Sequence, residues 1–355
     1  MIEANKIIGG RYKVIKHIGA GGMQDVYLVH DNFLGNQVAL KTPQLGQKTK
    51  RFQASAVIAA RINHHNVAKT LDYFEEDGNV YLIEEFVAGH TLEDKIERRK
   101  FLDPHLASRV LHLLAKGINA SHQQGVIHRD LKPSNVMVDS GSGVDHLKIT
   151  DFGIATLTED VFDEAAESGD LTRSTSGTVK GALPFMSPEM MFRKPGDKLT
   201  CAMDIWSIGA MMFRLLTGIY PFGVYLEAAV NVKTQNRAPW PAFMTANNQF
   251  APLARELQDI VDSCLEYVPE NRPTAEDLIT RCQNLCYMTS KRHEGVVNAM
   301  IQNGYSGFAS NRAHSVFFSI HSVYGNARPS KLSNISYSRF KGKPNYRAHP
   351  VVVID

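Results

Sequence analysis

The sequence predicts an α+β chain: a strand-rich N-terminal lobe, a helical lobe behind it, and a small β-rich unit at the end. Three patterns carry that reading. Apolar and polar positions alternate with period two between residues 11 and 86, and beyond Leu92 the apolar positions recur at helical spacing. From about Glu294 the text turns to Gly, aromatic and β-branched residues with almost no helix signal. At 43% apolar and 21% charged, the chain has material for a hydrophobic core, which excludes a mainly disordered, fibrous or collagen-like protein.

In chain order, RYKVIKHIG (11–19), DVYLVHD (25–31), NQVALKT (36–42) and VYLIEEF (80–86) are expected as strands, each bounded by Gly, Asn or Asp. Residues 50–62 interrupt them with one helical segment. The stretches 104–125, 203–218 and 253–265 repeat apolar positions at the helical period and are expected as helices. Between them, NVMVD (135–139) and HLKITDFG (146–153) read as a short strand pair. A loop crowded with acids, Ser and Thr follows, from 155 to 181, and a loop of that length inside a folded body points to function.

The longest apolar stretch, residues 205–216, is interrupted by Arg214 and is too short to span a bilayer, so no membrane span is expected. MIEANKIIGG has no basic stretch followed by an apolar run, so no leader is expected and the expected compartment is the cytoplasm. Cys201, Cys264, Cys282 and Cys286 have neither the density of a disulfide framework nor paired CxxC spacing, and are expected as reduced, partly buried thiols. Charge is uneven. From Lys291 onward nine Lys and Arg face only Glu294 and Asp355, a balance of +7, while residues 1–290 carry 30 basic against 34 acidic side chains.

Ile18-Gly19-Ala20-Gly21-Gly22-Met23-Gln24-Asp25-Val26-Tyr27 sets a glycine turn between two strands, where bare N–H groups can close over phosphate oxygens. Alone it is equally a plain hairpin. A dinucleotide fold would need a helix directly after the glycines, and residues 26–29 read as a strand. The decisive text follows it: Val38-Ala39-Leu40-Lys41, then His128-Arg129-Asp130-Leu131-Lys132-Pro133-Ser134-Asn135, then Asp151-Phe152-Gly153, in that order and at suitable spacing. The joint set resembles the eukaryotic-type protein kinases, most closely their bacterial Ser/Thr branch, over residues 11–287. Ser187-Pro188-Glu189 is similar to that family's APE motif, Asp204-Ile205-Trp206-Ser207-Ile208-Gly209 to its central buried helix, and Asn271-Arg272-Pro273 to the arginine that pairs the APE glutamate.

The resemblance implies a two-lobed kinase fold, with an N-lobe over about 11–88 and a C-lobe over about 89–287, and the use of ATP with Mg²⁺ or Mn²⁺ on protein substrates. Asp151 and Asn135 would supply hard oxygen ligands to the metal. Lys41 would hold the α- and β-phosphates, Asp130 would orient the attacking hydroxyl and take its proton, and Lys132 would meet the γ-phosphate. Ile18, Gly19, Ala20, Gly21 and Gly22 would cover the phosphates. Val26, Ala39 and Met137 would sandwich adenine while backbone groups of Glu85 and Val87 read its edge; plain core packing remains open for the three apolar positions.

Several positions depart from the family pattern. Gln24 fills the third glycine slot, Ala182 replaces a threonine near the acceptor site, and Ser55 stands where the family has the glutamate that pairs the lysine. No Asp or Glu occurs between Lys41 and Asp72. Glu84 falls at the gatekeeper position behind the adenine pocket, and two readings stand: a relocated partner for Lys41, or a side chain pointing elsewhere. In the 156–180 loop, Ser168, Thr172, Ser174, Thr175, Ser176 and Thr178 are candidate phosphorylation sites for Arg129 to receive, or part of a solvated polar loop. With these departures a nucleotide-binding pseudokinase scaffold stays open beside the active kinase.

In the tail, Asn303-Gly304-Tyr305-Ser306-Gly307-Phe308 and Ser315-Val316-Phe317-Phe318-Ser319-Ile320-His321 resemble the two RNA-binding strands of cold-shock domains, which implies a five-stranded OB-like barrel over 294–355. Tyr305, Phe308, Phe317 and Phe318 could stack on bases of single-stranded nucleic acid while Arg312, Lys331, Arg339, Lys341 and Lys343 follow phosphates. Equally, the aromatics could be barrel core and the charges a solvated rim or a substrate-docking surface; a nucleic-acid-linked regulator, in which the kinase body serves this tail, is the third reading of the chain.

Overall fold

The computed structural model describes residues 1–20, 24–44, 56–152, 181–194 and 197–354. Its N-terminal sheet has the order β1-β2-β3-β4-β6-β5, from β1 (Ile7–Ile8), β2 (Tyr12–Ala20), β3 (Gln24–Asp31), β4 (Asn36–Pro43), β5 (Thr70–Glu76) and β6 (Asn79–Glu85). The alternation of Val14, Val29, Val38, Leu40, Tyr81 and Ile83 buries one face of this sheet as a core. Asp77 and Gly78, both at positive φ, make the tight turn between β5 and β6. The sequence pattern missed β5: TLDYFEE lies at the sheet edge with no fully buried position, so it carries no alternation of burial. Of the helix expected over 50–62, residues 56–59 are helical, and residues 50–55 lie outside the described residues.

A second, three-stranded sheet of β7 (His90–Thr91), β8 (Val136–Val138) and β9 (Leu147–Ile149) forms the floor between the lobes. Helices α1 (Leu92–Arg99), α2 (Pro104–Gln123), α3 (Ala202–Thr217), α4 (Tyr225–Lys233), α5 (Ala251–Cys264) and α6 (Ala275–Asn284) build the second lobe. Thr91 with Asp94, and Thr274 with Asp277, form reciprocal capping boxes at the starts of α1 and α6. Helix α3 is buried on every side from Met203 to Thr217 and stops at Gly218, whose φ of 81° suits a left-handed cap. Cys264 and Cys282 sit in this core, where burial pushes both thiols up to about 12; Cys286 is exposed.

The tail forms a closed barrel from β10 (Arg292–Ile301), β11 (Ser306–Ser310), β12 (Ser315–Ser319), β13 (Val323–Tyr324), β14 (Asn334–Phe340) and β15 (Tyr346–Ile354). β10 pairs antiparallel with β11 and β14, β11 with β12, and β14 with β15; the parallel pair β12/β15 closes the ring. Val297, Ala309, Val316, Phe318, Ile335, Tyr337 and Val351 fill its inside. One face is sealed onto the helical lobe. Tyr324, Val352 and Ile354 join the core of that lobe, with the Tyr324 ring against Phe101, Phe243 and Phe250. Arg292 bonds Asp103, the N-cap of α2, at 2.7 Å with both side chains buried, and Glu294 takes Arg98 at 2.8 Å and Arg99 at 3.0 Å.

Candidate active site

Between the lobes lies a cleft of about 630 Å³, within the size range of small-molecule sites. Ile18, Gly19, Val26, Ala39, Lys41, Glu84, Glu85, Val87, Met137 and Asp151 line it. Ala20 ends β2 outside the lining, and Gly21, Gly22 and Met23 lie outside the described residues. Leu28 also lines the cleft and escaped the sequence reading. Its signal was the strand period: Leu28 follows Val26 by two and faces Ala39 as Val26 faces Lys41. The Glu85 N–H donates to the Lys69 carbonyl at 2.8 Å, so only the carbonyl of Glu85 remains to meet a ligand edge.

At the back of the cleft Lys41 is 5% exposed, and its ammonium bonds both Glu84 and Asp151. The register explains the first contact: on β6, Leu82 lies opposite Lys41 and Glu84 opposite Ala39, a diagonal that a lysine can span. Of the two sequence readings of Glu84, the ion pair is the one observed. One cation thus serves two carboxylates. Burial alone would lower the Lys41 pKa, but Asp151 and then Glu84 outweigh it and hold the lysine above its usual value. Burial, only partly offset by Lys41, pushes the Glu84 carboxyl up, whereas at Asp151 the lysine outweighs burial and the shift is downward. Gln24, at the start of β3, donates through Nε2 to Asp151 Oδ1 at 3.2 Å.

Below the cleft, Lys132 Nζ reaches Asp130 Oδ2 at 2.8 Å and Oδ1 at 3.1 Å. Asn135 Nδ2 donates to the Asp130 carbonyl at 2.8 Å and to Oδ2 at 3.1 Å. The loop is held from beneath by Asp204 on α3, which is fully buried and accepts from the backbone N–H groups of His128 and Arg129 and from His122 Nε2, each at 2.8 Å. His128 donates through Nε2 to the Thr150 carbonyl at 2.9 Å, which ties this loop to the one bearing Asp151. Arg129 and Asp151 both have positive φ, 68° and 66°, a strained backbone that non-glycine residues keep where the surroundings enforce it. Sequence reading placed Asp204 on a buried helix and missed this role.

Glu189 and Arg272 form the expected fork, at 2.6 and 2.9 Å. Ala182 is buried beside Leu183, Met186 and Trp206. Ser55, Ser168 and the candidate phosphorylation sites Thr172, Ser174, Thr175, Ser176 and Thr178 lie outside the described residues.

On the barrel, Tyr305 is exposed, and Phe308 and Phe317 face one another across β11 and β12 with centroids 5.5 Å apart. Phe318 is 1% exposed inside the barrel, which overturns its assignment as a stacking residue. Consecutive strand residues point to opposite faces, so Phe317 and Phe318 cannot both face out. Arg312, Lys331, Lys341 and Lys343 are exposed, and the half-buried Arg339 stacks over Tyr346. Arg347, which lies over the Phe317 ring at 4.5 Å, was not anticipated.

Chemically, the cleft can hold a nucleotide, a buried lysine can bind its phosphates, and an Asp–Lys–Asn loop can position an attacking hydroxyl; together they define a site for phosphoryl transfer. A model of the protein kinase domain matches residues 12–282. The chain belongs to the protein kinase family. It is 32% identical over 280 residues to "Serine/threonine-protein kinase PrkC" of Bacillus subtilis, covering 77% of this chain and 40% of that protein. It is 36% identical over 239 residues to "Probable serine/threonine-protein kinase PknB" of Lactococcus lactis, covering 66% and 36%. It is 32% identical over 279 residues to "Serine/threonine-protein kinase pkn3" of Myxococcus xanthus, covering 77% and 49%. The chain thus spans less than half the length of each of these relatives. Among the described residues no helix is long and apolar enough to cross a membrane.

Proposed function

We propose that the chain is an ATP-dependent serine/threonine protein kinase, with residues 11–287 as the catalytic unit and 294–355 as an OB-like module. The observation that carries this is that Lys41 and Asp151 line the cleft while the loop bearing Asp130, Lys132 and Asn135 is bonded beneath it to Thr150, the neighbour of Asp151. Lys41 binds the α- and β-phosphates. Asp130 accepts the proton of the attacking Ser or Thr hydroxyl, and Lys132, already against Asp130, meets the γ-phosphate. Ile18 and Gly19 cover the nucleotide, and Val26, Leu28, Ala39 and Met137 flank its base.

Asn135 and Asp151 fit a divalent cation, Mg²⁺ or Mn²⁺. The Asn135 amide nitrogen is committed to Asp130, which leaves its oxygen as the ligand, and Asp151 meets Lys41 and Gln24 through Oδ1, leaving Oδ2. The bound cation would neutralise phosphate charge. Transfer of label from γ-labelled ATP to a protein acceptor tests the reading: Asp151→Ala should abolish it with the fold intact, and undiminished transfer would sink the assignment. Retained nucleotide binding with no transfer by the wild type would favour the scaffold.

The barrel's pairing order and its parallel closure support an OB-like path, and Phe308, Phe317 and Arg347 on its surface support single-stranded nucleic acid as a ligand. Phe317→Ala in the full chain should weaken such binding, and the wild-type affinity should fall steeply with salt. No binding at low ionic strength would leave the module a protein-docking or packing unit. The thiols of Cys264 and Cys282 suit a reducing compartment, and we assign the cytoplasm.

A further inference from the structure

Gln24 occupies a slot that the family pattern gives to glycine, and its side chain turns toward Asp151, which lines the cleft. It is 3% exposed, and its amide nitrogen donates to Asp151 Oδ1 at 3.2 Å. Among the described residues, its Oε1 is buried and has no hydrogen-bond partner. Buried acceptors bond protein or ordered water in nearly all folded proteins, so an orphan acceptor beside a charged carboxylate is open to a water or ligand that the cleft admits. Glycine at this slot would leave no orphan.

An amide is two-faced: its NH₂ suits a bare carboxylate, and its oxygen suits a cation or the water that a cation carries. In the present state Asp151 is served by two donors, Lys41 and Gln24. A cation held by the free Oδ2 of Asp151 and by the Asn135 oxygen would set a positive charge beside the Gln24 amide, whose N–H groups would then face the wrong sign. Rotation of the amide puts Oε1 in their place and gives the orphan its partner.

We propose that Gln24 is a positioning residue for the metal–nucleotide complex, donating to Asp151 without the metal and accepting from the metal's water ligands with it. This rests on the reading of Asp151 as a metal ligand. The test is calorimetric titration of the full-length chain with ADP, with and without Mg²⁺, in the wild type, Gln24→Met, Gln24→Glu and an Asp151→Asn reference. Met keeps the length and removes both amide groups; Glu keeps an acceptor. Mg²⁺ should tighten ADP binding to the wild type, and Gln24→Met should lose about tenfold of that gain while its metal-free affinity stays within about twofold. Gln24→Glu should keep the gain. A Gln24→Met protein that binds Mg-ADP as tightly as the wild type, or a Gln24→Glu protein that loses the gain, would overturn the proposal. Retention of the Mg²⁺ effect in Asp151→Asn would instead overturn the metal reading on which it rests.

Discussion

Lys41 on β4 and Glu84 on β6 meet across one diagonal of the sheet, so the lysine at the back of the cleft is anchored by its own sheet. The family pattern anchors it from a helix, at the position that holds Ser55 here. An anchor within the sheet needs no helix movement to form. Losing it leaves a desolvated lysine that shares its charge with Asp151 alone. Glu84→Gln should therefore lower turnover about tenfold or more, as expected when a positioned charge loses its orienting partner. Ser55→Glu in that background should recover part of the rate. Glu85→Gln is the control, since the Glu85 side chain pairs with Lys148 at 3.0 Å instead. Equal rates for Glu84→Gln and the wild type would leave Lys41 to be held by Asp151 and ATP.

The seam between barrel and helical lobe buries a charged pair. Arg292 and Asp103 have side-chain exposures of 4% and 3%, and Asp103 also caps α2 through the N–H groups of His105 and Leu106. Removing one partner of a buried pair strands the other charge, at a cost of about 3–5 kcal/mol. Arg292→Ala should lower the denaturant midpoint of the whole chain in a single transition. A two-step transition in which only the barrel melts early would show that the seam does not couple the two units.

The same seam should weaken in acid. His105 accepts the Met288 N–H at Nδ1, 3.2 Å away, and packs near His349 and Phe250. Burial, aided by Arg292 and His349 and opposed by Asp103, pushes the His105 pKa down to about 4. The unfolded chain would bind this proton near its ordinary pKa of about 6.5. Between those values the unfolded state holds more protons, so the contribution of His105 is complete above about pH 6.5 and is lost as pH falls toward about 4. Melting temperature measured across that window should fall less for His105→Gln than for the wild type. Parallel curves would remove His105 as the cause.

The residues proposed for catalysis were legible because phosphoryl transfer fixes residue type and spacing together: Lys41, the 128–135 run and Asp151 can be read from the sequence, and contacts from Lys41 to Asp151 and from His128 to Thr150 bring them near one another. Glu84 was legible by elimination, since no acid lies between Lys41 and Asp72. Asp204 as a clamp, Gln24 on Asp151 and the Arg292–Asp103 seam join residues 75 or more positions apart. No local period reports such pairs. Phe318 went wrong for a local reason: two adjacent aromatics were both assigned outward in a strand, against its period of two.

The most direct measurement is the mass of the purified chain before and after incubation with Mg-ATP, for the wild type and for Asp130→Asn. Added phosphoryl groups are expected on the wild type, mapping to residues within 168–178, and none on Asp130→Asn, whose side chain cannot take the hydroxyl proton. Equal phosphorylation of both proteins, or transfer that survives the loss of Asp130, would contradict the assignment of this cleft as the site of phosphoryl transfer.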